Sequence, residues 1–152
     1  MKVEKRLEEL GLTLPEAPTP AGTYLSAKRQ GNLLYLAGAG PTLDGKAVYE
    51  GKVGAEVSLE DAYKAAQLTM LNLLAVMKKE LGDLDRVKSV VKVLGLVACA
   101  PGFYATPAVI NGASDLLFEL YGEAGRHARS AIGVFALPIN IPVEVEMIVE
   151  VE

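Results

Sequence analysis

At 152 residues and 51% hydrophobic side chains, the chain is long enough to bury the core of one domain. A net charge of −4 with a pI near 5.1, and no basic cluster larger than Lys28-Arg29 or Lys78-Lys79, argues against nucleic-acid binding, which rests on a basic footprint. No apolar run approaches the ~18 residues of a membrane span, so a mean hydropathy of +0.27 implies apolar surface to be hidden by self-association.

The charged first dozen residues predict no cleaved leader. Val3, Leu7 and Leu10, spaced by four and three, predict a short amphipathic helix ending near Gly11. Residues 13–22, with three prolines, read as an extended connector. Tyr24 to Gln30 and Leu33 to Ala37, around Gly31-Asn32, predict a β-hairpin because both turn residues tolerate positive φ. Leu43 to Lys46 is a second turn signal, and Gly38-Ala39-Gly40 lacks the Gly-Lys-Ser/Thr that would make a phosphate loop. Ser58 with Asp61 predicts the start of a long helix that runs to Leu81 and stops at Gly82. Arg86 to Ala98, rich in valine, is a strand. Thr106-Pro107 offers an N-cap and an N1 proline for a second helix reaching Gly122.

The last quarter, residues 127–152, reads as two strands joined by a loop that Pro138 and Pro142 bracket, since proline cannot donate ladder hydrogen bonds. In the second strand, odd positions from Val143 to Val151 are apolar, while Glu144 and Glu146 share the opposite parity. The expectation is that these acids share a sheet face with Arg129 or its neighbours on the preceding strand. An arginine beside a fixed carboxylate could then read a substrate carboxylate while the glutamate handles a water. Taken alone, Arg129 could equally be a solvated surface arginine, Glu144 and Glu146 a wetted strand face, and Tyr24 a strand aromatic. Asn111, a poor helix former, needs solvent exposure or a polar contact to explain it.

These segments resemble one family. Ala128-Arg129-Ser130, then Leu137-Pro138, then Val143 to Glu146, is similar to the C-terminal motif of the RidA/YjgF proteins, imine and enamine deaminases also known as endoribonuclease L-PSP-like proteins. Upstream, Gly22-Thr23-Tyr24 resembles the family's Gly-Pro-Tyr with Thr23 for proline. Residues 34–41 resemble its strand ending in Ser-Gly-x-x-Pro with Ala37 for serine, and Asn111 falls on its helix asparagine. Ala131 stands where a cysteine is frequent. The resemblance runs from about Tyr24 onward, which sets an N-terminal helix and connector (1–22) before an α+β domain (23–152).

The element order, hairpin, helix, strand, helix, strand, strand, predicts an α+β fold with a mixed sheet and two helices packed on one face. The resemblance implies the chorismate-mutase-like version, homotrimeric, with the bare sheet face at the centre and clefts between subunits. It also implies hydrolysis of reactive 2-imino or enamine acids to 2-keto acids and ammonia. Arg129 would pair with the substrate carboxylate and Glu144 would activate water. The Ala131 backbone amide, Tyr24 of a neighbouring subunit and Asn111 would complete the substrate site. No metal or cofactor is implied. The single histidine, His127, excludes a multi-histidine metal site within one chain and is assigned a structural role; Cys99, the lone cysteine, makes no internal disulfide and fits a cytoplasmic protein. The Ala37 and Ala131 departures bear on the substrate range and fit either a subgroup acting on a different carbonyl-derived compound or one binding a metabolite without turnover. Two other readings stay open: a non-catalytic metabolite-binding trimer and, more distantly, a ribonuclease.

Overall fold

The computed structural model describes residues 1–152. Helix α1 (Lys2–Glu9) buries Val3 and Leu7 at a four-residue spacing. Asp85 anchors its start by accepting the backbone N–H groups of Lys2 at 2.7 Å and Val3 at 3.0 Å. Both apolar side chains join the main core, so α1 packs with the rest of the molecule. The connector follows without regular structure.

Strands β1 (Ala27–Gln30) and β2 (Leu33–Ala39) form the expected hairpin. A small hairpin, β3 (Thr42–Leu43) with β4 (Lys46–Ala47), turns on Asp44 and Gly45, at φ 52° and 76°; this backbone suits Asp and Gly. Helix α2 (Leu59–Leu81) starts where the Ser58 hydroxyl accepts the Asp61 N–H at 3.1 Å and stops at Gly82, φ 82°. Strand β5 (Val87–Ala98) leads to α3 (Thr106–Tyr121), then β6 (Ala128–Val134) and β7 (Val143–Val151).

One expected cap is different. Ala105, not Thr106, occupies the N-cap of α3 and makes no side-chain cap. The Thr106 hydroxyl donates instead to the Ala131 carbonyl at 3.0 Å, tying the helix start to β6.

The main sheet runs β1-β2-β7-β5-β6, antiparallel except for the parallel β5–β6 pair. The fold is therefore α+β with a mixed sheet. Both long helices lie on one face, over the buried Leu34, Val93, Val97 and the odd residues of β7. Glycines permit the closest approaches. A Cβ on Gly112 would sit 2.0 Å from the Tyr63 carbonyl oxygen of α2, and one on Gly95 would sit 2.5 Å from the Ile110 side chain of α3. The opposite face carries Tyr35, Leu94, Leu96, Ile132 and Ile148 with no element of the chain over it; Tyr35 and Ile132 remain 43% and 49% exposed. No helix is long and apolar enough to cross a membrane.

Candidate functional site

Strand order decides where the candidate residues point. β6 and β7 follow one another in the chain, yet β5 lies between them. Arg129 pairs with Val93, which pairs in turn with Met147; both of these are buried beneath the helices. Glu144 pairs with Leu96, which pairs with Ile132 on the uncovered face. Directly paired residues share a face, so Arg129 and Glu144 occupy opposite faces of the sheet. The expected shared face is thus corrected: β6 and β7 do not pair with each other, and the register of each with β5 sets which of their residues share a face.

On the helix side, Arg129 reaches under α3. Its Nη1 donates to the Asn111 Oδ1 at 2.8 Å and to the Ser114 Oγ at 3.1 Å. Asn111 and Ser114 meet the same nitrogen because a three-residue spacing puts them on one helix face. Ser114 Oγ lies 2.9 Å from the His127 Nε2, and His127 Nδ1 lies 2.7 Å from the Gly125 carbonyl. A carbonyl only accepts, so Nδ1 carries the proton. Burial pulls the His127 pKa below its ordinary value; the Gly125 hydrogen bond opposes this and the Arg129 charge adds to it. The neutral ring therefore accepts the Ser114 proton at Nε2. Together these groups, with Asp115, Phe118 and Arg126, line an open pocket of ≈ 430 Å³. The Asp115 carboxylate accepts from the Tyr63 hydroxyl at 2.7 Å and Arg126 lies 3.5 Å from Glu123, which leaves Arg129 as the unpaired cation that suits a small anion.

On the other face, Glu144 is half-buried and Glu146 exposed. Burial first, and the Glu146 charge second, raise the Glu144 pKa above its ordinary value, the direction that suits a general base working near neutrality. Its carboxylate rests against the backbone of Gly38, where a Cβ would be 2.8 Å from Oε2. Gly38 lies within an irregularity of the β2–β7 ladder between Leu36 and Ala39. Ala37 and Glu146 line a shallow groove beside Tyr35 and Lys92.

A family model described as "YjgF/chorismate_mutase-like, putative endoribonuclease" matches residues 4–151. The chain belongs to the RidA/YjgF family. It is 41% identical to Protein TCP17 of Trypanosoma cruzi over 150 residues, covering 98% of this chain and 94% of that one. It is 30% identical to a 2-iminobutanoate/2-iminopropanoate deaminase of Dermatophagoides farinae, covering 93% and 95% respectively. A crystal structure of a protein of unknown function from Agrobacterium tumefaciens superposes with a TM-score of 0.93 at 44% identity, over 99% of this chain and 92% of that one.

Among the residues singled out by the RidA/YjgF resemblance, the fold brings Arg129 and Asn111 into direct contact. Ala131 shares their face and packs against the core, its carbonyl engaged by Thr106. Glu144 lies across the sheet, and Tyr24 is 52% exposed in the bend before β1, its hydroxyl accepting the Ala21 N–H at 3.2 Å. No three His, Cys, Asp or Glu side chains gather as a metal would require. The family match includes all of α1 beyond its first turn. Sequence reasoning missed Ser114, His127 and Gly38 as parts of these sites. The three-residue spacing from Asn111 to Ser114 was the available signal for the first; for Gly38 only the strand register shows what it faces.

Proposed function

We propose that the Arg129 pocket binds the carboxylate of a small 2-imino or 2-keto acid, and that the protein hydrolyses 2-imino acids. The observation that carries this reading is the guanidinium itself. It is held by Asn111 and Ser114 through one nitrogen in an open pocket, with no protein acceptor on its other N–H groups. A planar carboxylate fits such a fork.

The reaction would be addition of water to the C=N carbon, then loss of ammonia to leave the 2-keto acid. An imine is already electrophilic, so a base to activate water is the main requirement. Glu144 is our candidate for that base. Because it lies on the opposite sheet face from Arg129, a complete site needs two copies, one giving Arg129, Asn111 and the Ala131 amide, the other Glu144. Tyr24, exposed before β1, would close the cleft from a neighbouring copy. The uncovered apolar face supports assembly, and a trimer is what the family resemblance implies. Kinship with the 30% identical deaminase supports the chemistry.

A second reading, carboxylate binding without turnover, is favoured by Ala37 and Ala131, which replace a hydroxyl and a thiol of the family pattern. A ribonuclease is disfavoured by the net charge of −4. The test is a coupled assay of 2-imino acids generated in situ, beside calorimetric titration with unreactive 2-keto acids. Accelerated imine decay supports the deaminase. Keto-acid binding without acceleration supports the second reading, and neither result overturns both.

A further inference from the structure

We propose that Ser114 and His127 are positioning residues that lock the Arg129 guanidinium in one orientation, leaving its Nε–H and Nη2–H edge as the docking edge of the pocket. This rests on reading the pocket as a carboxylate site, and it concerns residues to which the family resemblance assigns no role.

The argument is a count of protons. The Gly125 carbonyl at 2.7 Å fixes the His127 proton on Nδ1, so Nε2 has only a lone pair to offer. Ser114, 2.9 Å away, spends its single proton on that lone pair. Its oxygen then faces Arg129 purely as an acceptor, 3.1 Å from Nη1. Asn111 Oδ1 accepts from the same Nη1 at 2.8 Å, so both Nη1 hydrogens are used. A guanidinium carries five N–H groups in one plane, and the remaining pair that can grip two carboxylate oxygens together is Nε–H with Nη2–H. Without His127, the Ser114 hydroxyl could turn its proton toward the guanidinium and repel it. The histidine therefore sets the polarity of the whole chain of bonds. Burial, which keeps the ring neutral, maintains that polarity.

Two of these three residues sit on different elements. Ser114 belongs to α3, and His127 precedes β6 after the turn at Gly125, which is buried tightly enough that a Cβ would lie 2.2 Å from the Leu117 carbonyl oxygen. The carbonyl that selects the tautomer is thus fixed by α3 packing, the kind of supporting contact that pre-organises a binding group.

The experiment uses the full-length ¹⁵N-labelled protein. His127 is the only histidine, so its ring signals in a long-range ¹H–¹⁵N spectrum need no assignment. In the ligand-free protein at neutral pH we expect the Nδ1–H tautomer, and slow rotation of the Arg129 Nη groups that quickens in Ser114→Ala. An Nε2–H tautomer, or identical Arg129 rotation in both proteins, overturns the inference. Titration with 2-oxobutanoate supplies the second readout. Ser114→Ala and His127→Ala should weaken binding roughly tenfold, as loss of one hydrogen bond to a charged group does. His127→Gln, whose amide oxygen can still accept from Ser114, should restore most of it. Equal affinity in all four proteins also overturns the inference. A wild type that keeps the tautomer and slow rotation yet binds no 2-keto acid would support the lock and sink the carboxylate reading, so the two failures are distinguishable.

Discussion

Gly38→Ala separates the chemistry of Glu144 from the stability of the fold. Gly38 lies in strand β2 without a positive φ, so alanine fits its backbone and should stiffen the unfolded chain, worth ~0.4–1 kcal/mol in favour of folding. The new Cβ would stand 2.8 Å from the Glu144 Oε2. Comfortable contacts are ~3.5 Å, so the carboxylate must retreat by roughly 0.7 Å. Glu144 is a flexible side chain on a half-open face, and that retreat costs little stability. Rate is another matter: displacing a positioned catalytic group by ~1 Å can cost ~10²-fold. We expect kcat/KM for 2-imino acid hydrolysis to fall by roughly 10–10², with a melting temperature within a few degrees of wild type and keto-acid binding retained. The double variant with Glu144→Gln should be no worse than Glu144→Gln alone, because both act on one carboxylate. Wild-type turnover in Gly38→Ala would refute the assignment of Glu144 as base. A large loss of stability would refute the packing argument.

Glu144→Gln alone should slow turnover by ~10²–10⁴, while Glu146→Gln, exposed on the same face, should stay close to wild type; equal losses contradict the distinction. Because its folded pKa is raised, ionised Glu144 weakens the fold as pH rises through that pKa. Glu144→Gln should therefore melt higher than wild type at pH 8, and the gap should close as pH falls below the ordinary glutamate pKa, where both states hold the proton. Arg129→Lys keeps the charge but loses the planar fork, so 2-keto-acid affinity measured by calorimetry should drop at least tenfold. Gly112→Ala drives a methyl against the α2 backbone and should cost ~1–3 kcal/mol or more in urea unfolding. Sedimentation should give about three times the 16.1 kDa chain mass; a stable monomer at micromolar concentration would remove the two-copy site.

The elements were legible in the sequence because their signals are local. The period-two run of β7, the Ser58 cap, and the stops at Gly82 and Gly122 depend only on neighbours in the chain, and all appear where expected. Thr106 failed for a tertiary reason: its hydroxyl has a better partner in the Ala131 carbonyl, across 25 residues, than in its own helix. Arg129 was singled out by its motif, and the face expected for it was wrong for the same kind of reason. A strand's alternation says which residues share a face, but not which face that is relative to another strand, until the pairing partner is known. Here the partner is β5, joined to β6 through α3 as a parallel crossover and to β7 as an antiparallel neighbour. The two registers put Arg129 under the helices and Glu144 on the bare side. On the function we propose, the single chain carries two half-sites whose charges are complementary in chemistry and separated by the sheet. The apolar side chains around Glu144 give the chain a reason to associate through that face, since covering Tyr35, Ile132 and Ile148 removes apolar area from water. If association through that face brings one copy's Glu144 to the next copy's Arg129, assembly and catalysis are stabilised by the same buried surface, and a substitution such as Ile132→Asp, far from either functional group in chemistry, should abolish both together.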